Sequence, residues 1–350
     1  MSGRKARVLI VDDSAIVRRI LSEALSGASD IEVVGTAPDA IIAGEKIRAL
    51  RPDVLTLDLE MPRMDGLTFL KSLMQSHPLP VIVISSLAQR SCRAAIQALE
   101  YGAVEVLPKP AGPLSVGELS STLADKVRAA MSARVLGRGP QTIRAAAPTR
   151  ASCAAPTGTV LAIGASTGGT EAIASIVSRL PANAPPVIIA QHIPPQFSRA
   201  FAERLNGMSA AEVKEAEDND AVIPGRVLVA PGDFHMVLRH SGGRYFVTVK
   251  AGPKVCYQRP SVDVLFFSAA EVCGGKCVAA LLTGMGSDGA QGLLRLRQAG
   301  AHTIAQDEAT CVVFGMPREA IALGAAAQVL PLPMIAQAML APRSEFAMAR

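Results

Sequence analysis

Two groups of side chains in this sequence have the types and spacing to do chemistry. The first is Asp12 and Asp13 in "VDDS", Asp58 in "LDLEMPRMDG", Ser85 in "VIVISS" and Lys109 in "VEVLPKP". The second is Ser166 in "GASTGG", His192 in "AQHIPP" and Asp288 in "GMGSDGAQG". Three carboxylates meeting one ammonium repel one another unless a cation sits among them, and hard oxygen ligands of this kind suit Mg²⁺. A carboxylate beside Mg²⁺ can attack a phosphoryl group, while a lysine and a hydroxyl hold the product's oxygens. In the second group, a serine becomes a nucleophile if a histidine takes its proton and a carboxylate orients that histidine.

Each residue also has a plainer reading. Asp13 or Ser14 can cap a helix, Asp58 can be a turn residue ahead of "MPRMDG", and Asp288 is a competent N-cap. What favours chemistry is that all of them fall at ends of apolar runs. In residues 7–125, "RVLIV", "IEVVG", "VLTLD", "VIVIS" and "VEVLP" read as buried strands. They alternate with helical patterns such as Ile16, Val17, Ile20, Leu21, Ala24 and Leu25. This alternation predicts a five-stranded parallel sheet with helices on both faces, and functional groups gather beyond the carboxyl ends of such strands.

The second half repeats the logic. "VLAIG" predicts a strand and Gly168–Leu180 a helix, so Ser166 sits between a strand end and a helix N-terminus, where the dipole favours developing negative charge. "VIIAQHIP" places His192 just past another strand, and "CVAALLTGMGSDGAQGLL" places Asp288 near a helix start. His77, His235, His240 and His302 are expected to be structural or solvated, His240 in a hairpin "RHSGGRY". The order Ser, His, Asp departs from the Ser, acid, His of common α/β-hydrolases, so "GxSxG" does not imply that fold. "GASTGG" lacks the spacing of a dinucleotide turn, no Gly-Lys-Ser/Thr marks a phosphate loop, and the edge has too few ligands for a metal hydrolase.

A chain of 350 residues, 49% hydrophobic and 19% charged, fits two globular domains. No apolar run is long enough to cross a bilayer and the first residues lack a secretory signal, so a cytoplasmic protein without membrane insertion is expected. Six cysteines without a framework spacing fit a reducing compartment, and Cys273 and Cys277 are expected to pack in the core. The net charge of +5 resolves along the chain. Residues 1–125 carry 13 basic and 15 acidic side chains, residues 126–157 six basic and none acidic, residues 158–350 16 basic and 15 acidic. The basicity is therefore concentrated in the Pro-, Gly- and Ala-containing stretch 126–157, a solvated linker, and no nucleic-acid partner is expected. The boundaries are residues 1–125, the linker 126–157, and residues 158–345.

The motifs "VDDS", "LDLEMPRMDG", "VIVISS" and "GAVEVLPKP" resemble a response-regulator receiver domain of flavodoxin-like fold. The resemblance implies Asp58 as phosphoacceptor, Asp13, Asp58 and the Glu60 carbonyl as Mg²⁺ ligands, and Asp12 as an outer-sphere partner. It further implies Ser85 as the switching hydroxyl and Lys109 as the lysine that answers phosphorylation. Many receivers carry an aromatic switch residue where this chain has Val106.

The segments "IGASTGGTEAI", "AQHIPPQFSRAFAERLN", "PSVDVLFFSAA" and "LLTGMGSDGAQGLLRLRQAGAHTIAQDEATCVVFGMPREAI" resemble the catalytic domain of chemotaxis protein-glutamate methylesterases. That family implies a three-layer α/β/α domain with a mostly parallel sheet. It implies Ser166 as nucleophile, His192 as base and later acid, Asp288 as orienting carboxylate, the Met285 backbone N–H as an oxyanion donor, and no cofactor at the esterase site. The implied reaction hydrolyses glutamate methyl esters on chemoreceptors with release of methanol, and deamidates receptor glutamines. The implied phosphodonor is a chemotaxis histidine kinase, and the unphosphorylated receiver is expected to cover the esterase cleft. Two alternatives stand beside this reading. A transcriptional response regulator lacks support because the second half has no helix-turn-helix, whereas a methylesterase serving a different signalling array would have identical chemistry.

Overall fold

The computed structural model describes residues 4–110, 116–134 and 158–341, and the chain divides into two units between residues 141 and 142. The first unit runs β1 (Ala6–Val11), α1 (Ala15–Ser26), β2 (Ile31–Ala37), α2 (Ala40–Leu50), β3 (Val54–Asp58), α3 (Gly66–Ser76), β4 (Val81–Ser85), α4 (Gln89–Glu100), β5 (Glu105–Pro108) and α5 (Val116–Met131). The strand order is β2-β1-β3-β4-β5, with every pairing parallel. β3 and β4 are buried along their full length, as continuous apolar runs are when helices cover both faces of a sheet.

Short polar residues set where the helices begin. Ser14 accepts the Val17 N–H and caps α1, which fulfils the plainer reading of "VDDS" for the serine and leaves the aspartates free for other work. Asp39 and Asp65 cap α2 and α3 in the same way, each cap contributing about 1 kcal/mol. β1 and β3 are neighbours whose connections leave in opposite directions, the arrangement that opens a crevice at the strand ends. Asp12 lies one residue beyond β1, and Asp58 closes β3.

α5 continues to Met131, so the stretch assigned to the linker from residue 126 begins as the last turns of a helix. Lys126 reaches Glu105 at 2.6 Å and Arg128 grips Asp30 at 2.8 and 2.9 Å. Arg138, Arg144 and Arg150 lie outside the described residues.

The second unit runs β6 (Val160–Ala165), α6 (Gly169–Val177), β7 (Val187–Gln191), α7 (Phe197–Met208), β8 (Glu212–Glu215), β9 (Arg226–Val229), β10 (His235–Ser241), β11 (Arg244–Lys250), α8 (Val262–Val272), β12 (Cys277–Leu281), α9 (Ala290–Gln298), β13 (His302–Gln306), α10 (Met316–Ala322), β14 (Gln328–Leu330) and α11 (Leu332–Leu340). Seven strands form one parallel sheet in the order β14-β13-β12-β6-β7-β9-β8. β10 and β11 form a separate antiparallel hairpin that turns at Gly242 and Gly243. β6, β7 and β12 are wholly buried. The helices fall into two packed groups, α6 with α7 and α11, and α8 with α9 and α10, which gives three layers.

α6 ends at Val177, short of the expected Leu180. The chain tightens there through Arg179 and Leu180 N–H bonds to Ile176 and Val177 carbonyls, because Pro181 disfavours helical geometry in the residue before it. Cys273 and Cys277 are buried thiols. The sheet reverses its winding between β6 and β12, so the loops after β6, β7 and β12 open at one edge.

Candidate functional site

In the first unit, Asp12 and Asp58 are fully buried while Asp13 is exposed, and one carboxylate oxygen of each lies within 4.8 Å of the others. Lys109 Nζ donates to Asp58 Oδ2 at 2.8 Å and stands 3.3 Å from Asp12 Oδ2. Asp12 Oδ1 accepts the Ser14 N–H at 2.9 Å, and Asp58 Oδ1 the Glu60 N–H at 3.1 Å. Burial pushes Asp58 up to about 6, with the neighbouring Asp12 charge adding to it against the Lys109 and Glu60 hydrogen bonds. Asp12 is likewise raised by burial, opposed by Lys109. Burial alone would lower Lys109, yet its hydrogen bond to Asp58 and the two carboxylate charges hold it above its ordinary value.

These groups fit a hard cation. Asp12 Oδ2 is buried without a hydrogen bond, and a cluster of carboxylate oxygens short of positive charge is what Mg²⁺ relieves.

Ser85 is buried at the end of β4, one strand from Asp58. Its hydroxyl turns toward the carbonyls of Ser91 at 3.4 Å and Ser86 at 3.5 Å, both long for such bonds. The Glu60 side chain leaves the acidic cluster and accepts a short hydrogen bond from Ser91, which in turn accepts from Ser86 Oγ at 2.9 Å. Val106 is buried in β5. Sequence reasoning missed Arg18, whose guanidinium holds the carbonyls of Asp12 and Asp13 at 2.8 and 2.9 Å. Its position one turn into α1 was the available signal.

In the second unit the strand register builds the site. Ala165 pairs with Gln191 across β6 and β7, so the next residue of each strand, Ser166 and His192, emerge side by side. His192 N–H donates to the Ala165 carbonyl at 3.1 Å, and Ser166 N–H to the Thr283 carbonyl at 3.0 Å. His192 Nε2 lies 2.7 Å from Asp288 Oδ2, whereas His192 Nδ1 is buried with no hydrogen-bond partner. With the proton on Nε2 facing a carboxylate, Nδ1 carries the lone pair. Ser166, His192 and Asp288 are all buried.

Asp288 does not cap its own helix; Gly289 occupies that place. Its carboxylate instead faces the start of α8. Asp288 Oδ1 accepts Ser261 Oγ–H at 2.8 Å and the Asp263 N–H at 3.0 Å, and Oδ2 accepts the Val262 N–H at 2.7 Å. Burial would raise this carboxyl, but the hydrogen bond and charge of His192 and the two backbone N–H groups outweigh it and hold Asp288 below the ordinary carboxylate range. A helix N-terminus adds favourable potential for the anion. Five residues before Gly168 the chain is strand; at Gly168, φ of 77° makes the tight turn into α6, and a side chain there would run into Val312.

Met285 follows Gly284, whose α-carbon packs so close to Ser166 that an added Cβ would sit 2.7 Å from Ser166 Cβ. The Met285 amide is thus the next residue after one packed directly against the serine. Gln191 and Ser261 escaped the sequence reasoning. Gln191 Nε2 donates to the carbonyls of Ser166 at 2.8 Å and His192 at 3.0 Å; its one signal was adjacency to His192. Ser261 was legible only as an N-cap ahead of the apolar run of α8.

Fold and site together define a two-unit α/β protein, a receiver-type acidic pocket followed by a serine set beside a His–Asp pair on a doubly wound parallel sheet. The family model for the response regulator receiver domain matches residues 8–118, and that for CheB methylesterase matches residues 161–339. The chain is 51% identical over 341 residues to protein-glutamate methylesterase/protein-glutamine glutaminase 2 of Syntrophus aciditrophicus, covering 95% of this chain and 97% of that one. It is 50% identical over 341 residues to the Salmonella typhimurium protein-glutamate methylesterase/protein-glutamine glutaminase, covering 96% and 97%. The crystal structure of the Thermotoga maritima CheB methylesterase catalytic domain aligns with TM-score 0.52 at 42% identity, covering 53% of this chain and 98% of that domain. The chain belongs to the CheB methylesterase family, with a receiver domain at its N-terminal side. Among the described residues, no helix is long and apolar enough to cross a membrane.

Proposed function

We propose that the protein is a phosphorylation-activated protein-glutamate methylesterase that also deamidates protein glutamine side chains, acting in chemotactic adaptation. The observation that carries this reading is the orientation of His192. Asp288 holds Nε2, and the partnerless Nδ1 lies on the strand-end residue beside Ser166.

In the reaction, Ser166 Oγ attacks the ester carbonyl carbon and its proton passes to His192 Nδ1. The assignment of ring nitrogens is the reverse of the familiar serine-protease triad, where Nδ1 faces the aspartate. The imidazolium is stabilised by Asp288, which remains ionised because three further donors surround it. The tetrahedral oxyanion collects the Met285 N–H and the N-terminal potential of α6. Collapse expels methoxide, which takes the proton from His192 and leaves as methanol. Water then repeats the sequence on the acyl-serine and regenerates Ser166 with a free glutamate. With a glutamine side chain the same steps release ammonia.

The receiver supplies regulation, with a histidine kinase of the chemotaxis type as phosphodonor and chemoreceptors as substrate. Asp58 is the phosphoacceptor, Lys109 and Ser85 hold the phosphoryl oxygens, and Asp13, Asp58 and the Glu60 carbonyl would hold Mg²⁺ with Asp12 in the outer sphere. When bound, the cation screens negative charge between phosphodonor and Asp58. A cytoplasmic setting suits this chemistry, and none of the described cysteines is joined in a disulfide.

Methanol release from methylated receptor membranes, with and without a small-molecule phosphodonor and Mg²⁺, tests the reading. Release that depends on Ser166, and rises with phosphodonor only when Asp58 is present, is the expected result. Equal rates with and without phosphodonor would remove the regulatory half, and no release from receptor esters would remove the substrate.

A further inference from the structure

The carboxylate that orients His192 is itself held by a chain of hydrogen bonds that continues into a second buried imidazole. Ser261 Oγ–H donates to Asp288 Oδ1 at 2.8 Å. The Ser261 N–H donates to His235 Nδ1 at 3.2 Å, and His235 Nε2 lies 2.9 Å from the Pro253 carbonyl. A carbonyl only accepts, so Nε2 carries the proton; a backbone N–H only donates, so Nδ1 carries the lone pair. His235 is therefore held as one neutral tautomer. Both His235 and Ser261 are buried. His235 begins β10, and Ser261 precedes α8 and caps it by accepting the Val264 N–H at 3.3 Å. The chain is thus His192–Asp288–Ser261–His235–Pro253, with each link made by one defined donor.

We propose that Ser261 and His235 are positioning residues for the esterase: His235 fixes the backbone of Ser261, and Ser261 fixes the Asp288 carboxylate against His192. The proposal rests on the esterase reading above and extends it to residues that touch neither substrate nor the reacting atoms. Their identity follows from the donor arithmetic. Asp288 has two oxygens and must keep one lone pair of Oδ2 aimed at His192 Nε2. The Val262 N–H on Oδ2 and the Asp263 N–H on Oδ1 set the plane of the carboxylate, and the Ser261 hydroxyl is a further donor, the second on Oδ1, that holds the carboxylate in place against His192. An alanine at 261 removes the second donor on Oδ1 and loses the cap. A leucine at 235 leaves the Ser261 N–H buried with no acceptor, which displaces the first turn of α8.

The test compares Ser261→Ala, Ser261→Thr, His235→Asn and His235→Leu in the full chain. Rates are counted per active site by titration with a serine-reactive phosphonate, so that unfolded protein does not enter. Two substrates are used: p-nitrophenyl acetate and methylated receptor membranes. A hydrogen bond to a charged group is worth roughly one to two decades in rate. Ser261→Ala is therefore expected to lower kcat about 10–100-fold with KM changed less than about twofold. Ser261→Thr, which keeps the hydroxyl, recovers most of it. His235→Asn, whose amide oxygen can accept the Ser261 N–H, retains more activity than His235→Leu.

The pH profile separates positioning from a merely structural cap. The titratable groups around Asp288 are His192, with Asp263 and Cys256 each within 4.8 Å, and His235 reached through Ser261. A carboxylate with one donor fewer holds the proton shared with His192 more tightly. The acid limb of kcat/KM for p-nitrophenyl acetate then moves to higher pH in Ser261→Ala and returns in Ser261→Thr. Loss of thermal stability in Ser261→Ala with unchanged kcat and an unmoved acid limb overturns the proposal. So does ¹⁵N NMR of labelled histidine at pH 8 that finds the His235 proton on Nδ1. If wild type hydrolyses p-nitrophenyl acetate but not receptor esters, the substrate reading fails while the positioning result is still decided on the small ester. If wild type hydrolyses neither, both fall.

Discussion

At the scale of single residues, the second unit sets two neighbouring carboxyls to opposite tasks through their donors. Asp288 collects His192, the Ser261 hydroxyl and two backbone N–H groups, and is held ionised. Asp263 accepts the Gly292 N–H at 2.6 Å, but burial and the Asp288 charge push it up to about 6. The stability consequences have opposite signs. Asp288, depressed in the folded state, contributes stability that is present above the unfolded carboxyl value of about 3.9 and is lost as pH falls through its lower folded value. Asp263, raised when folded, favours the folded state only while protonated, and that contribution fades as pH rises between about 3.9 and about 6. Asp263→Asn keeps the oxygen that accepts from Gly292 and removes the charge. It is expected to raise Tm by a few degrees at pH 8, at about 2–4 °C per kcal/mol for a domain of this size, and to change it little at pH 4; thermal melts at the two values check this. Asp288→Asn puts an amide among donors and reverses the His192 tautomer. A loss of about 10³–10⁴ in kcat on p-nitrophenyl acetate is expected, and a loss below tenfold would count against the triad.

At the scale of elements, the site depends on how closely α8 and α9 approach. Gly292 lies where an added Cβ would come 2.6 Å from Phe266 Cβ and 3.1 Å from Asp263 Oδ1. Two effects compete in Gly292→Ala. Helix propensity favours alanine by about 1 kcal/mol, whereas overpacking at a backbone-close contact costs about 1–3 kcal/mol. Phe266 is fully buried and cannot move aside, so packing wins and the variant is expected to be less stable in urea, with reduced esterase activity because α8 carries the donors to Asp288. In the first unit the corresponding element is β4–α4. On the proposed reading, phosphorylation of Asp58 would offer Ser85 a better acceptor than the long bonds to Ser91 and Ser86 it now makes, and the Ser86–Ser91–Glu60 bonds would tie that movement to α4.

At the scale of the whole molecule, the two units have separate electrostatic problems. The receiver buries Asp12 and Asp58 together with one ammonium, and Asp58 is raised to about 6. Its folded-state penalty is therefore absent near pH 4 and fully present above about pH 6. On the proposed reading Mg²⁺ would act only on the ionised cluster, so it is expected to raise the receiver Tm at pH 7.5 and hardly at pH 4.5; calorimetry across this range checks the sign. In the second unit Asp288 is met instead by His192, the Ser261 hydroxyl and two backbone N–H groups. Residues 158–350 alone are expected to hydrolyse p-nitrophenyl acetate at a rate indifferent to phosphodonor, whereas the full chain responds through Asp58. A phosphodonor response that persists in Asp58→Asn would contradict this division.

Strand periodicity made much of this legible in advance. Continuous apolar runs of five or six residues can be satisfied only in a sheet covered on both faces, and a polar residue at the end of such a run has one place to go, the carboxyl edge. Asp12, Asp58, Ser85, Ser166 and His192 could be located for that reason. The helical reach of α5 beyond residue 125 was less visible, because Lys126 and Arg128 look like linker charges until Glu105 and Asp30 supply their partners. Beyond His192, the partners of Asp288 were not legible. Read along the chain, Asp288 is a cap for the helix that follows it, and Ser261 a cap for another helix some 27 residues earlier. Only the packing of α8 against α9 turns the carboxylate away from its own helix and onto the start of the other. Local sequence determines where a polar group leaves the backbone. Which donors meet it, and hence whether it is ionised, neutral or poised as a base, is decided by contacts between segments far apart in the chain, which exist only once the tertiary structure has formed.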